Sequence, residues 1–397
     1  MEKLVPSQRH YPWGSHTLIP ELLGNAPSAQ PLAELWYGAH PAGPSTLNAA
    51  DGARLSDVVE ADPAQLGAWS SRGNGLPFLM KILAADEVLS LQAHPSQAQA
   101  EEGFARENSE GIPLDDSRRN YKDASHKPEI IVALTPFYAM AGFRPLSRTR
   151  ELFAALGCAE LDRYVGMLSP GEDAQTESEN LRALFTTWIT IPTAVRKELI
   201  DAVVAAAPHV PHGWMSGVMD TVVAINEQYP GDIGVLGALL LNHIELQPGE
   251  AIFLAAGNLH AYVRGMGVEV MANSDNVLRG GLTSKYVDVP ELVKVLRFES
   301  VADPRVEALP ADSGAEYPAP VEEFNVRRIE IPAADAATIE CAGPAIALCT
   351  AGTVTCTRGA EDPVQLRAGE AVWLPAGSEA VTASAGENPA QVFVTWA

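Results

Sequence analysis

Hydrophobic and polar positions divide this chain into three textures. Up to about Arg144 the apolar runs are short and broken by Pro and Gly, as in "PFLMKILAA" (77–85) and "EIIVALTPFYAMAGF" (129–143). Within that region "LSLQAHPSQ" (89–97) alternates, setting Leu89, Leu91 and Ala93 against Ser90, Gln92 and His94. A period of two predicts a β-strand, with the polar three on one face. From about Ser147 to Gln228 the period lengthens. "RTRELFAAL" (148–156), "ESENLRALFTTW" (177–188) and "AVRKELIDAVVAAA" (194–207) repeat apolar residues every three or four positions, which predicts helices. After "QYPGDIG" (228–234) the strand-and-turn texture returns and runs to Ala397, interrupted by a Pro/Ala/Asp-rich stretch at 301–323 that reads as a connection.

An internal repeat crosses that connection. "LQPGEAIFLAAGNLHAYV" (246–263) matches "LRAGEAVWLPAGSEAVTA" (366–383) at a constant offset of 120, aligning Gly249 with Gly369, Glu250 with Glu370 and Gly257 with Gly377. Short strands punctuated by PGE- and AG-type turns predict a double-sheet jelly roll in each copy. His260 aligns with Ala380, so the first copy keeps a polar inward position that the second has lost. The expected organisation is mainly β with an α-helical insertion. Residues 1–146 and 229–300 form one barrel, 147–228 the insertion, 301–323 a connection, and 324–397 a second, degenerate barrel.

Composition narrows the partners. With 27 Lys+Arg against 50 Asp+Glu the net charge is −23, a surface that repels nucleic acid and anionic membrane. An anionic substrate would need a local cluster of cations. No apolar run is long enough to span a membrane, and the first residues lack a signal pattern. The four cysteines show no CxxC spacing, so a cytoplasmic protein with free thiols is expected. A monomer or weak homo-oligomer is expected as well.

The candidate chemistry lies on Gln92 and His94, two apart on one strand, on Glu129 opening the next apolar strand, and on His260 after a tight turn. Two imidazoles, a carboxylate and an amide oxygen form a donor set compatible with Zn²⁺. On spacing alone, each histidine could equally be a hydrogen-bonded core or turn residue.

The motifs "YPWGS" (11–15), "LSLQAHPSQ" (89–97), "YKDASHKPEIIVAL" (121–134) and "GNLHAYVRGMGVEVMANSDNVLRGGLTSKYVD" (257–288) together resemble the type I mannose-6-phosphate isomerase family, zinc-dependent cupin enzymes. That resemblance implies one Zn²⁺ per chain held by Gln92, His94, Glu129 and His260. It also implies a small sugar phosphate as substrate, isomerised between mannose 6-phosphate and fructose 6-phosphate through an enediolate. By the same resemblance Lys127, Glu269 and Arg279 are catalytic, with Glu269 or Lys127 as the carbon base. Trp13, Lys81, Ser90 and Lys285 contact the substrate, Lys81 and Ser90 on its phosphate side. Gly280 and Gly281 would let the backbone approach a ligand. Ser284 stands where the family often has Pro, a minor departure. Two alternatives fit the residues less fully: a metal cupin of another sugar phosphate or with redox iron, and a non-catalytic sugar-binding cupin.

Overall fold

The computed structural model describes residues 1–48, 52–72, 75–168, 174–377 and 379–397. Its largest sheet runs, edge to edge, through Arg305–Val306, Ala251–Leu254, Glu129–Ala133, His260–Ala272, Phe78–Ala85, Glu34–Gly38 and Ser7–Arg9, each pair antiparallel. A second sheet contains the series Glu2–Val5, Ala371–Leu374, Ala345–Ala351, Ala390–Trp396, Asn325–Ile331, Gly314–Tyr317 and Leu309–Ala311, again antiparallel throughout. The two series are topologically equivalent strand for strand, so the repeat seen in sequence extends well beyond the 18 residues that betray it.

The repeated turn is reproduced bond for bond. Gly249 and Gly369 take positive φ values of 89° and 82°, a conformation that strains any residue with a Cβ. Their amides donate to Ala133 and Cys349 carbonyls, both at 2.8 Å. The side chains of Glu250 and Glu370 accept from the Gln247 and Arg367 amides, both at 2.8 Å. Ser378, within the second copy, lies outside the described residues.

Burial sorts the faces of the first sheet. Met80, Ile82, Ile130, Val132, Val268 and Val270 point one way and pack against Phe324, Ile346, Leu348, Trp373 and Phe393 of the second sheet. Tyr37, fully buried between them, donates its hydroxyl to the Gly369 carbonyl at 2.6 Å. The opposite face carries Leu83, Ile131 and Leu254, which pack against Phe137, Ala139, Ala141, Ile244 and Tyr262. These come from the strands Phe137–Phe143 and Leu241–Leu246 and from the start of the 13-residue strand His260–Ala272. That long strand passes from one layer to the other, with a register shift between Tyr262 and Arg264. It carries residues of both layers into the space between them.

Among the described residues, helices dominate from Leu146–Leu156 through Trp214–Gln228 and Ile233–Ala238. Ala174–Ile189 buries Leu181, Leu184, Phe185, Trp188 and Ile189, the i, i+3, i+4, i+7, i+8 stripe of an amphipathic helix. The helix Ile233–Ala238 lies five residues past the expected end of the insertion. Among the described residues no helix is long and apolar enough to cross a membrane.

Three expectations are corrected. The stretch 301–323 contains the strands Arg305–Val306, Leu309–Ala311 and Gly314–Tyr317, because its alternating residues complete the edges of both sheets. The N-terminal strand Glu2–Val5, expected in the first barrel, lies in the C-terminal sheet, between Ala371–Leu374 and Thr46–Leu47. The region before Arg144, read as loops and strands, also contains the helix Gln97–Ser109, started by a capping box between Ser96 and Gln99.

Candidate metal centre and reaction site

The strand around Gln92 is short, Leu91–Ala93, with Leu91 and Ala93 buried in the apolar cluster beneath the helices. Gln92 is opposite His260 on one neighbour and opposite Arg279 on the other. Residues directly opposed on antiparallel strands share a face, so all three side chains emerge together. His94 follows the strand end, and Glu129 begins the strand Glu129–Ala133.

His94, Glu129 and His260 converge. The Glu129 Oε2 lies 3.3 Å from His94 Nε2 and 3.4 Å from His260 Nε2. Both ring Nδ1 atoms face backbone carbonyls, of Asn276 at 2.7 Å and Asn258 at 3.0 Å, and a carbonyl can only accept. Each Nδ1 therefore carries the proton, which leaves each Nε2 a lone pair aimed at a carboxylate oxygen. All three inward atoms are buried and have no hydrogen-bond partner. Three electron-rich atoms meeting without a donor are electrostatically unfavourable unless a cation lies between them. Ligands about 2.1 Å from a tetrahedral zinc are separated by about 3.4 Å, close to the spacing found here. The residues fit the ion, and carbonyl-anchored imidazoles are its usual second layer of support.

Charge around the centre is arranged to suit. Burial opposes ionisation of Glu129, yet its carboxyl is held well below its usual range, with the Lys127 ammonium the largest of the opposing causes. Lys127 is 3.2 Å from the other oxygen, Oε1. Burial is the main reason that His94 is lowered to about 4, which keeps its ring neutral and ligating.

A second cluster extends from this centre across the same face of the sheet. Glu269 is opposite Lys81, and Lys81 is opposite Trp36. The Lys81 ammonium is 2.8 Å from Glu269 Oε2 and 3.5 Å from Glu34 Oε1. Tyr262 donates its hydroxyl to Glu269 Oε1 at 2.8 Å, and the Trp36 indole donates to Glu34 Oε2 at 2.9 Å. Burial raises the Glu269 carboxyl above its usual range, with Lys81 pulling the other way. Burial works against the Lys81 ammonium too, yet Glu269 and Glu34 outweigh it and raise its pKa. Lys81, read from sequence as a phosphate contact, is 6 % exposed and committed to these carboxylates.

The other expected residues lie around this pair of clusters. Arg279 and Lys285 have no carboxylate partner among the described ion pairs. Burial lowers both, and Lys285 is lowered further by Arg279 and Lys122. Two free cations close enough to repel one another form the cationic patch that an anion needs in so acidic a protein. Ser90 is half-buried just before Leu91, and Trp13 is half-buried, stacked on Tyr11 at 5.5 Å. Gly281 serves packing: a Cβ there would come within 2.6 Å of the Gly234 amide, so the approach is to the helix Ile233–Ala238.

Sequence reasoning missed Glu34, Tyr262 and His40. Glu34 was legible as a lone carboxylate in the apolar run "PLAELWYG", and Tyr262 as the residue two after His260 on the same face. His40 is 2 % exposed with Nε2 3.5 Å from Asp275, a contact between distant segments that no local pattern marks.

Equivalent registers put Ala345 where Glu129 stands, opposite Leu374 and Leu254 respectively. Ala380, aligned with His260 in sequence, is exposed, whereas His260 is buried.

Comparison with known proteins agrees with this geometry. Residues 1–146 match the family model described as phosphomannose isomerase type I, catalytic domain. The mannose-6-phosphate isomerase of Escherichia coli (strain K12) is 40% identical over 402 residues, covering 99% of each chain. That of Aspergillus fumigatus is 33% identical, over 92% of this chain and 87% of its own. Among solved structures, mannose 6-phosphate isomerase from Salmonella typhimurium bound to substrate (F6P) and zinc is similar over 100% of this chain and 99% of its own, with a TM-score of 0.90 and 35% identity.

Proposed function

The chain belongs to the type I phosphomannose isomerase family, and from that premise we propose the chemistry of its site. It is a zinc-dependent aldose–ketose isomerase that interconverts mannose 6-phosphate and fructose 6-phosphate. The observation that carries this reading is the convergence of two imidazole lone pairs and a carboxylate oxygen, all buried and unpartnered, beside a buried Glu–Lys–Glu cluster.

His94, Glu129 and His260 hold the zinc, with Gln92, opposite His260, supplying the fourth donor. When bound, the ion acts as a Lewis acid toward the sugar oxygens at C1 and C2. Isomerisation removes the C2 proton of the open-chain aldose, leaves an enediolate, and returns a proton to C1. Glu269 is the base. Its buried carboxyl is biased toward accepting a proton, and Lys81 and Tyr262 fix both of its oxygens in direction. Lys127, whose ammonium faces Glu129, is suited to stabilise the enediolate as a cation. Arg279, on the strand beside Gln92, adds a second positive charge, and Lys285 draws the phosphate to the same mouth. Ser90 and Trp13 line the cleft, while Lys81 supports Glu269 in place of the phosphate role.

We read the two sheet systems as cupin-like jelly rolls, one catalytic (1–146 with 229–300) and one degenerate (324–397), with 147–228 as a helical insertion. The matching strand orders and turns support that reading. The test of function is a coupled assay of fructose 6-phosphate formation from mannose 6-phosphate before and after chelation. Activity lost on chelation and restored by zinc is expected; activity that survives full zinc removal overturns the assignment.

A further inference from the structure

Asn276 stands at the junction of three segments that the reaction site needs. Its backbone carbonyl receives the His94 Nδ1 proton at 2.7 Å. Its side chain is fully buried and saturated. The Oδ1 accepts from the Lys122 amide at 2.7 Å and the Asp123 amide at 3.2 Å. The Nδ2 donates to the Asp123 carbonyl at 2.8 Å, the Ser125 carbonyl at 2.9 Å and Asp123 Oδ1 at 3.2 Å. Asp123 closes the clamp from the other side, accepting from the Asp275 amide and the Ser274 hydroxyl, both at 2.8 Å.

The segment so clamped, 122–125, leads directly into Lys127 and Glu129. Residues 273–276 lead into the strand Leu278–Gly281, which bears Arg279. The Asn276 and Asp123 side chains are engaged within the clamp, and neither residue belongs to the converging group of His94, Glu129 and His260. They act on a ligand through one carbonyl. A His ligand whose ring is free to turn loses both its tautomer preference and its aim, and removing such a support weakens metal binding by about 10–100-fold.

We propose that Asn276 and Asp123 are positioning residues that set the zinc affinity of the site, by fixing the carbonyl that orients His94 and locking it to the segment that carries Glu129. The proposal rests on the zinc reading of His94, Glu129 and His260. Asn276→Asp turns the Nδ2 donor into an acceptor against two carbonyls, and Asp123→Asn turns one acceptor into a donor. Either change releases the clamp without touching a ligand.

The experiment uses the full chain, stripped of metal, with zinc affinity read by competition with a chromophoric chelator and stability read by thermal unfolding of the stripped protein. Zinc dissociation constants raised about 10–100-fold in Asn276→Asp and Asp123→Asn, with activity recovered at higher zinc, are expected. Glu107→Gln is the comparison. Glu107 anchors the adjoining backbone by accepting from the Asn120 and Tyr121 amides, yet does not touch Asn276. It should lower the unfolding temperature and leave zinc affinity within twofold. Equal loss of zinc affinity in Glu107→Gln, or unchanged affinity in both clamp variants, overturns the proposal. Should the clamp variants not fold, Ser274→Ala removes a single donor to Asp123, and a weakening of several-fold is then the expected reading; no change overturns it. Wild-type protein that binds no zinc overturns the metal reading itself, a result distinct from the others.

Discussion

Lys81 and Glu269 lie directly opposite each other on antiparallel strands, and the lysine ammonium reaches the carboxylate at 2.8 Å inside the sheet. Both side chains are almost wholly buried, and Glu34 completes the cluster from the strand on the far side of Lys81. One cation between two carboxylates explains how a carboxylate can be kept dry and available in an apolar layer.

Removing that cation strands two buried negative charges. Lys81→Met should destabilise the protein by about 3–5 kcal/mol in urea unfolding, the usual cost of breaking a buried pair by deleting one partner. A loss below about 1 kcal/mol would show that Glu34 and Glu269 do not depend on it.

Glu129→Gln keeps the shape of the metal centre and removes its charge. The purified variant should hold less than about one tenth of a zinc per chain by elemental analysis, because an amide replaces the anionic ligand. Stoichiometric zinc in that variant would place the ion elsewhere.

Chelation should also lower stability. Free zinc at 100 times its dissociation constant adds about 2.7 kcal/mol to the folded state. The unfolding midpoint should therefore fall on adding chelator to wild type and stay put in His260→Ala, a comparison that separates loss of metal from nonspecific effects of the chelator.

Among the described residues Arg279 has no acidic partner to lose, so its substitution separates catalysis from folding. Arg279→Met should cut kcat/KM by about 10²–10³-fold, the range found for removing one donor to a developing oxyanion. The unfolding temperature should stay within about 2 °C of wild type. A matched fall in both would make Arg279 a structural residue.

His243 should set part of the acid sensitivity. Burial, reinforced by Arg144, lowers it to about 4 from an ordinary 6.5, while its Nε2 donates to the Ala238 carbonyl at 2.9 Å. The unfolded chain takes up this proton between pH 6.5 and 4 and the folded chain does not. Its stabilising contribution is therefore present above pH 6.5 and lost as pH falls toward 4. Between pH 7 and 5 the loss is about 2 kcal/mol by linkage. His243→Gln, which keeps the donor, should flatten the pH dependence of urea unfolding by that amount.

Much of the site was legible along the chain because two-residue periodicity survives folding unchanged. Gln92 lies between the buried Leu91 and Ala93 as the alternation predicts, and the turn at Gly249 recurs at Gly369. The capping box from Ser96 to Gln99 was also there to read, but the helix it starts has a polar composition and so a weak apolar stripe. The clusters that depend on register were not legible. Nothing near Lys81 in "LMKILAA" says that Glu34, 47 residues earlier, and Glu269, 188 residues later, will flank it.

What the sequence determined by itself was local: which residues alternate, where the helices begin to replace strands, which turn is repeated, and which donor types are available for a metal. Tertiary structure alone decided the rest. It took the N-terminal strand Glu2–Val5 to the far sheet, joined Arg305–Val306 to the near one, and brought Glu129 between two histidines. The physical reason is that side-chain direction follows from backbone period within a strand, whereas the partner across a strand is chosen by burying whole faces at once, a sum over distant residues that no short stretch contains.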